Sequence, residues 1–504
     1  MTLFKHKIKT IFLLLSGAAL LTMSGCKKGT FDINDPNPNQ PSTVPPKFSL
    51  SDALAGTASL MLGGNTDMFN NWMGYWSQSG DYTPSPTFVY YQVNTDTYSG
   101  NWDNAYLNLI NYKVIIDQAL KDSTLGNYKA VAMIMKAFVY QRIVDIYNNA
   151  PYSDALTLKN FTPDYTDAQE IYKSLVNQID SAITLINNPD PNAETLDQYD
   201  AMFAGDMDKW KKFGNTLKLK ILLRQTEVSG GPAYIQSALA GYTTVDDFLG
   251  VDENASINPG YSAAADNQRS PLYADIGFTV SGAQAGNNIY FRANSYGVNF
   301  YTSNNDTLRL KSIYEVKSDG KVYGKAYGSN LLGEHNTNIS GVNGVGVVTS
   351  AAQDAVILPA FESLFLVAEA QERGWLPGSA ETSYVAAIGE SFKLLGLSET
   401  DAATYYGAET GNAKVDYVAS TNKLQTIILQ KWAACNPFDG LESYSDWRRL
   451  GIPTDLPVSV YQGNTATHIP YRLEYPTSEH SYNAVNVSKQ GNIDVMNSKI
   501  FWMP

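Results

Sequence analysis

Aromatic side chains are concentrated between Phe69 and Tyr106, a part of the 504-residue sequence that contains eleven of them. The overall aromatic share of 12% predicts four or five in a stretch of this length, so the excess needs a reason. Some of these rings keep helical spacing and are predicted to pack in a core. Others lie around Pro84 and Pro86, where no regular helix requires them. The residues predicted to turn toward solvent are Tyr82, Phe88, Tyr90 and Tyr91.

Exposed rings of this kind can bind a sugar, because the C–H face of a pyranose packs on the π surface while its hydroxyl groups need polar partners at the edge. Carboxylate and amide side chains flank the rings, and a second group of tyrosines lies among asparagines near residue 290. Stacking contacts worth on the order of 1 kcal/mol each predict roughly millimolar to micromolar affinity. The candidate ligand-binding residues are Tyr75, Trp76, Asp81, Tyr82, Tyr90, Tyr91, Asn94, Tyr290 and Tyr296.

Catalytic and metal-binding patterns are weak in this sequence. His335, His468 and His480 are far apart, and neither H-E-x-x-H nor G-x-S-x-G occurs. Cys435 falls on the apolar side of a predicted helix and is predicted to be buried and unreactive. Residues 32–35 and 94–96 could bind calcium, but neither completes an EF-hand loop, so no cofactor is predicted. A glycoside hydrolase that uses two paired carboxylates stays an alternative, since only the distance between the two carboxylates in the folded protein is diagnostic.

The N-terminus has the layout of an export signal. Three lysines precede an apolar run at residues 11–21 that is too short to span a bilayer, and Ser24 and Gly25 lead to Cys26. This arrangement resembles the bacterial lipobox, in which the chain is cut before the cysteine and the thiol carries lipid. The resemblance implies a signal peptide at 1–25 and a tether at 26–46 lipidated at Cys26, which two or more acyl chains would anchor stably. The alternative is cleavage elsewhere and a free secreted protein.

Composition limits the kinds of partner and of stabilisation. The net charge is −13, and removal of Lys5, Lys7 and Lys9 with the signal makes it −16, so the chain repels phosphate backbones and nucleic acid is not a predicted partner. Only two cysteines occur. If Cys26 is lipidated, Cys435 has no partner, and packing rather than disulfides must hold the exported protein together.

Amphipathic periodicity predicts the elements that position these residues. Apolar residues spaced three and four apart predict helices, the second of them capped by Thr166 or Asp167. Periodicity fades at residues 250–355, which are predicted to be a loop-rich insertion with short strands such as 307–311. The predicted helical stripes are 128–146, 171–186, 210–223, 358–370, 384–395 and 424–435.

Several short strings follow one another in a recognisable order. They include NAPYSDA at 149–155, DKWKKFGNTLKL at 208–219, DWRRLGIP at 446–453 and PYRLEYP at 470–476. Together they resemble the SusD-like branch of the SusD/RagB family of lipid-anchored outer-membrane nutrient-binding proteins. Within the third string, Arg448 and Arg449 lie close to Asp446 and Glu442 and are predicted to form ion pairs between helices.

The resemblance implies a fold and a function. The fold is mainly α, with tetratricopeptide-like helix pairs at about 47–250 and 355–504 in a single body, 47–504, that carries the loop-rich insertion. The function is capture of an oligosaccharide at the cell surface, at the outer membrane, without catalysis, for a SusC-like TonB-dependent transporter. A peptide ligand on the same fold, or less readily a surface glycoside hydrolase, is the alternative.

Overall fold

The computed structural model describes residues 44–157 and 159–504. The predicted signal peptide, Cys26 and nearly all of the tether lie outside these described residues, as does the calcium candidate at 32–35. Pro46–Pro504 forms one compact unit. Within the described ranges, no helix combines the length and the apolar character needed to cross a bilayer.

Helices dominate the unit, so the predicted mainly α fold is confirmed. The first are α1 (Pro46–Leu62), α2 (Asp67–Trp72), α3 (Pro86–Val89), α4 (Gly100–Ala119), α5 (Gly126–Tyr147), α6 (Ala168–Asn187), α7 (Met207–Leu223) and α8 (Gly231–Leu239). The middle of the chain adds α9 (Pro271–Ile276), α10 (Gly286–Tyr290), α11 (Ser295–Ser303) and α12 (Thr307–Ile313). The last are α13 (Ala360–Glu372), α14 (Ala380–Leu394), α15 (Glu399–Ala408), α16 (Lys423–Cys435), α17 (Gly440–Leu450), α18 (Thr477–Tyr482) and α19 (Ala484–Ser488).

Strands are short and form two-stranded antiparallel sheets. The pairs are β1 (Trp76–Gln78) with β5 (Phe291–Ala293), β2 (Ala150–Pro151) with β3 (Tyr165–Thr166), and β4 (Ala255–Ile257) with β6 (Ala355–Leu358). The first sheet matters most for function, because it joins the early aromatic stretch to the middle of the chain. Its register pairs Trp76 with Ala293 and Gln78 with Phe291.

Consecutive helices pack side by side, as tetratricopeptide-like pairs do. The series α4, α5, α6 and α7 packs in chain order, and α13, α14 and α15 do the same later. Local sequence explains where these helices begin: the Asp167 carboxylate accepts the backbone N–H groups of Gln169 and Glu170 at the start of α6. Residues such as Val131, Met135 and Ile143 on α5 are fully buried, which agrees with the predicted stripe.

The middle of the chain is less regular, but one strand prediction there is wrong. Residues 307–311 form part of helix α12, not a strand. The alternation of leucine with arginine and lysine is typical of a strand with one side facing solvent. Here Arg309 is buried, so the alternation does not mark a solvent-facing side. Its guanidinium donates to the Asp306 carboxylate at 2.6 Å and to the Gln430 side chain at 2.8 Å.

A network of paired charges is enclosed between α5, α7, α13, α16 and α17. Glu442 accepts from Lys220 at 2.9 Å and also contacts Arg224 and Lys431. Arg449 binds the Glu369 carboxylate through both terminal nitrogens, at 2.5 and 2.7 Å. We call this set the buried charge network: Asp145, Lys220, Arg224, Glu362, Glu369, Lys431, Asp439, Glu442, Asp446 and Arg449.

The arginine doublet of α17 therefore divides into two roles. Arg449 forms the predicted ion pairs, because Glu369 and Asp446 both contact it. The prediction is wrong for Arg448, which donates to the carbonyl oxygens of Asp145 and Tyr471. Its guanidinium lies 3.9 Å from the centre of the Tyr444 ring, so a cation–π contact replaces an ion pair.

Candidate functional site

Two of the predicted aromatic residues meet at the surface and form a first ring pair, Tyr82 with Tyr290. Their ring centres are 4.9 Å apart and the planes cross at 66°. The β1–β5 sheet brings them together, because the loop after β1 reaches the end of α10, where the Ser79 N–H donates to the Tyr290 carbonyl at 2.8 Å. Tyr82 keeps 37% of its surface exposed. Sequence alone named both rings but not their contact.

A polar edge lies next to this first ring pair. The Asp81 carboxylate accepts the backbone N–H of Asn336 at 2.8 Å and lies 2.8 Å from Nδ1 of His335. The Asn336 N–H holds the pKa of Asp81 below its usual value, with further hydrogen bonds from His335 and Ser79. Asp81 is therefore an ionised acceptor at neutral pH, suited to bind sugar hydroxyl groups.

A cavity of about 210 Å³ opens beside Tyr82. Its polar lining includes Gln78, Lys325 and Asn330, and its apolar lining includes Phe88. The mixture of one exposed ring, apolar walls and a few polar groups is the composition expected of a small-ligand site.

A second ring pair, Tyr90 with Tyr461, lies at the mouth of a larger cleft. The ring centres are 5.2 Å apart at 87°, and the Tyr90 hydroxyl donates to the Gln462 carbonyl at 3.1 Å. The cleft has a volume of about 690 Å³ and is lined by polar side chains that include Gln92 and His468. Tyr90 is 37% exposed, like Tyr82.

Buried contacts connect the chain segments that carry the two ring pairs. The Tyr91 hydroxyl accepts the Ser459 N–H at 2.8 Å, and its ring stacks on Tyr327 with 6.0 Å between centres. The Tyr327 hydroxyl in turn donates to the Phe88 carbonyl at 3.1 Å, and the Tyr327 backbone carbonyl accepts the Val460 N–H at 2.9 Å. The segments that carry Tyr82, Tyr90 and Tyr461 are therefore held by one framework.

Three predicted ligand contacts need correction, because Tyr75, Trp76 and Tyr91 are buried. Gly74, with a φ of +73°, turns the chain out of α2 and directs Tyr75 inward, where its hydroxyl donates to the Trp432 carbonyl at 2.6 Å. Trp76 lies in β1 and packs on the Phe291 ring. Tyr91 is 3% exposed and serves the framework described above. These rings support the surface and have no face free for a ligand.

The remaining predicted residues, Asn94 and Tyr296, line neither of the two cavities. The Asn94 side chain accepts the Asp96 N–H at 3.0 Å within its own loop and lines neither cavity. Tyr296 donates to the Asp455 carboxylate at 2.6 Å and packs its ring on Trp432. Their contact with a ligand stays a prediction.

Other residues at the two ring pairs come from distant loops and are not among the predicted ligand contacts. Tyr461 lies beside Gly463 and Asn464, the same composition that singled out the early aromatic stretch, so that signal was present. The spacing of His335 and His468 in the sequence indicates no partner for either residue. His468 stacks on Tyr471, with ring centres 4.5 Å apart and planes at 8°.

A larger cleft, of about 820 Å³, lies elsewhere and lacks an exposed ring. Its aromatic residue Phe203 is buried. The Asp200 carboxylate there accepts the N–H groups of Met202 and Gly205 and the Trp210 indole, so it serves to shape the local chain. We therefore place the candidate site at the two ring pairs.

Within the described residues, three buried carboxylates lie close enough to hold a metal ion: Glu362, Asp439 and Glu442. The Lys220 ammonium lies among them, at 2.7 Å from Glu362, 3.7 Å from Asp439 and 2.9 Å from Glu442. It supplies there the positive charge that a metal ion would bring. This cluster is thus accounted for as part of the buried charge network.

Cys435 is fully buried beside this network, as predicted. Burial raises the pKa of its thiol, and nearby carboxylates add to the effect. The reactive thiolate is therefore disfavoured, which agrees with the predicted lack of reactivity.

Comparison with known proteins gives the family. A SusD-like family model, described as "Starch-binding associating with outer membrane", matches residues 38–476. No curated protein matches the sequence.

Solved structures agree in fold over nearly the whole chain. A SusD/RagB family protein from Bacteroides thetaiotaomicron has a TM-score of 0.74 and 23% identity, covering 91% of this chain and 99% of its own. A chitin-binding SusD homolog from Flavobacterium johnsoniae has a TM-score of 0.73 and 22% identity, with 90% and 98% covered. A structure described as a chitin-binding protein has 25% identity and a TM-score of 0.72, with 91% and 100% covered. The chain belongs to the SusD/RagB family of outer-membrane nutrient-binding proteins, in its SusD-like branch.

Proposed function

We propose that this protein is a non-catalytic capture protein for an oligosaccharide, anchored at the cell-surface face of the outer membrane through lipid on Cys26. It binds the sugar across the two ring pairs and passes it to a SusC-like TonB-dependent transporter. Family membership supports the membrane location and the class of ligand. The transporter partner and the anchor follow from the family resemblance and the lipobox.

The observation that carries the proposal is the first ring pair with its polar edge. Tyr82 and Tyr290 offer ring faces at the surface, and the ionised Asp81 lies beside them. A pyranose face packs on such rings, and its hydroxyl groups donate to the carboxylate. Two stacks worth on the order of 1 kcal/mol each, with a few hydrogen bonds, are consistent with weak, reversible capture.

The same geometry favours capture over hydrolysis. Glycoside hydrolysis needs a carboxylic acid whose pKa is raised so that it can protonate the leaving oxygen. The pKa of Asp81 is instead lowered, so this carboxylate is a poor proton donor. A peptide ligand remains the second candidate, because tyrosine rings and a carboxylate also bind basic peptides.

Calorimetry with starch and chitin oligosaccharides, and with tri- to pentapeptides, tests the proposal. We expect one oligosaccharide class to bind the wild-type protein, and the double variant Tyr82→Ala/Tyr290→Ala to lose about 30-fold in affinity, because two stacks of about 1 kcal/mol are removed. Tyr482→Ala is the matched control, since this tyrosine is 80% exposed on α18 outside both cavities. Its affinity should equal that of the wild type.

Other outcomes would redirect the assignment. Unchanged affinity in the double variant would remove the first ring pair from the site. Binding of peptides alone would replace the ligand class. New reducing ends after incubation with the bound polysaccharide would show hydrolysis and contradict capture.

A further inference from the structure

A buried lysine lines the cavity beside Tyr82. The backbone of Lys325 pairs with the chain at β5, because its N–H donates to the Ala293 carbonyl at 3.0 Å and its carbonyl accepts the Ser295 N–H at 2.8 Å. Lys325 is only 3% exposed, yet it shares the cavity lining with Tyr82. Backbone pairing therefore holds a buried cationic residue at the candidate site.

The ammonium of Lys325 is weakly paired within the protein. Its ion-pair partner among the described residues is Glu334, whose Oε2 lies 3.6 Å from Nζ, too far for a hydrogen bond. That same oxygen accepts the Leu331 N–H at 3.1 Å. Burial lowers the pKa of Lys325, and Glu334 and Asp81 offset this effect only in part. Lys325 therefore keeps N–H donors for a ligand in the cavity.

Part of the cavity wall is apolar, since Phe88 and Val89 line it. Gln78 lines it as well, but its amide donates to the Thr83 carbonyl at 2.7 Å and accepts the Ser85 N–H at 2.8 Å. The volume of about 210 Å³ is below the roughly 300–1,000 Å³ of pockets that enclose drug-sized ligands. The cavity thus suits a small group that has both an acceptor oxygen and an apolar end.

We propose that this cavity binds the acetamido group of an N-acetylated sugar and that Lys325 determines this specificity. The Lys325 ammonium donates to the amide carbonyl oxygen, and the charge of the donor strengthens this hydrogen bond. The methyl group packs against Phe88 while the sugar ring stacks on Tyr82. The inference rests on the proposed function and adds to it the class of sugar.

Two other substituents of a sugar fit the cavity less well. A hydroxyl group can accept from Lys325, but it leaves the apolar wall without a partner. The carboxylate of a uronic acid is a stronger acceptor, but it brings a negative charge toward Glu334 and Asp81, in a chain whose net charge is already −13. The acetamido group is neutral and offers both the oxygen and the methyl group.

Calorimetry with matched oligosaccharides tests the inference. Chitin and cellulose oligomers of equal length share their linkage and ring stereochemistry and differ only in an acetamido or a hydroxyl group at C2. A second pair with galactose stereochemistry is compared in the same way. We expect the wild type to bind the acetamido member of one pair at least about 10-fold more tightly, the effect of one hydrogen bond to a charged group.

Lys325→Met keeps the length of the side chain and removes the ammonium. This variant should lose about 10-fold in affinity for the acetamido member and much less for the hydroxyl member. Lys321→Met, the same change at an exposed lysine, is the matched control and should keep both affinities.

The outcomes separate this inference from the proposed function. Equal binding of both members of each pair by the wild type would overturn the inference and keep sugar capture. Preference for a uronic-acid oligomer would overturn it as well, because the ammonium would then bind a carboxylate. If Lys325→Met has the circular dichroism of the wild type and keeps the full preference, the specificity lies in another residue and the inference fails. The comparison of sugars on the wild type needs no variant, so misfolding of Lys325→Met cannot obscure it. Binding of no oligosaccharide at all would reject the proposed function and this inference with it.

Discussion

At the first ring pair, Tyr82 and Tyr290 stand partly in solvent on a loop and a short helix, whereas Glu442 and Arg449 are enclosed between long helices with their charges paired. Tyr82 and Tyr90, one ring from each pair, both keep 37% of their surface exposed to solvent. The buried charge network draws on residues that α7, α13, α16 and α17 need in order to approach one another.

The difference shows how one chain separates stability from recognition. Removing one partner from a buried ion pair leaves an unpaired charge in a low-dielectric interior, which is costly. Removing an exposed ring costs the fold little, because such a side chain contributes few buried contacts. The ring pairs are therefore free to vary with ligand, while the network is constrained by the helices around it.

The largest effect is expected at Glu442, which contacts Lys220, Arg224 and Lys431. Glu442→Gln removes a negative charge that contacts three buried cations at once. We expect the free energy of unfolding to fall by about 3–5 kcal/mol, measured by urea denaturation.

Glu399→Gln is the matched control for this prediction. Glu399 also pairs with a lysine, Lys393 at 2.7 Å, but its side chain is 72% exposed. Exposed pairs contribute about 0–1 kcal/mol, so this variant should stay within that range. Equal losses in both variants would contradict the contrast between interior and surface.

A smaller effect is expected from acid acting on Glu369. Burial alone would raise its pKa, but Arg449 outweighs burial and lowers the pKa to about 2. In the unfolded chain a glutamate titrates near 4.3. The stabilisation is therefore fully present above about pH 4.3 and is lost as pH falls toward 2, by about 3 kcal/mol in total.

Unfolding monitored by circular dichroism between pH 6 and 2 measures this loss. Glu369→Gln should be less stable than the wild type at pH 6, and the difference between the two should shrink as pH falls. A difference that stays constant across this range would rule out Glu369 as a source of the acid sensitivity.

Sequence periodicity was sufficient for the scaffold. The stripe at 424–435 falls within α16, and the stripe at 128–146 within α5, because one buried face per helix repeats every three or four residues. The Asp167 cap was also correct, since it depends on residues only two and three positions away. Signals of this kind are local.

The site depended on contacts that are not local. Tyr75 and Trp76 have the same composition around them as Tyr82, yet pairing of β1 with β5 encloses Trp76 while the following loop exposes Tyr82. The partners of the exposed rings, Tyr290 and Tyr461, come from distant loops. Composition predicts that some rings are exposed, but it does not predict which rings contact one another.

The smallest effects are expected when Tyr90 or its neighbour Tyr91 loses its hydroxyl group, a change that compares an exposed ring with a buried one. Tyr91→Phe leaves the buried Ser459 N–H without an acceptor, which should cost about 1–3 kcal/mol of unfolding free energy. Tyr90→Phe removes only an exposed donor to the Gln462 carbonyl and should cost less than about 0.5 kcal/mol. Urea denaturation of both variants measures the difference. A larger loss at Tyr90 than at Tyr91 would mean that the exposed ring, rather than the buried one, supports the framework of the site.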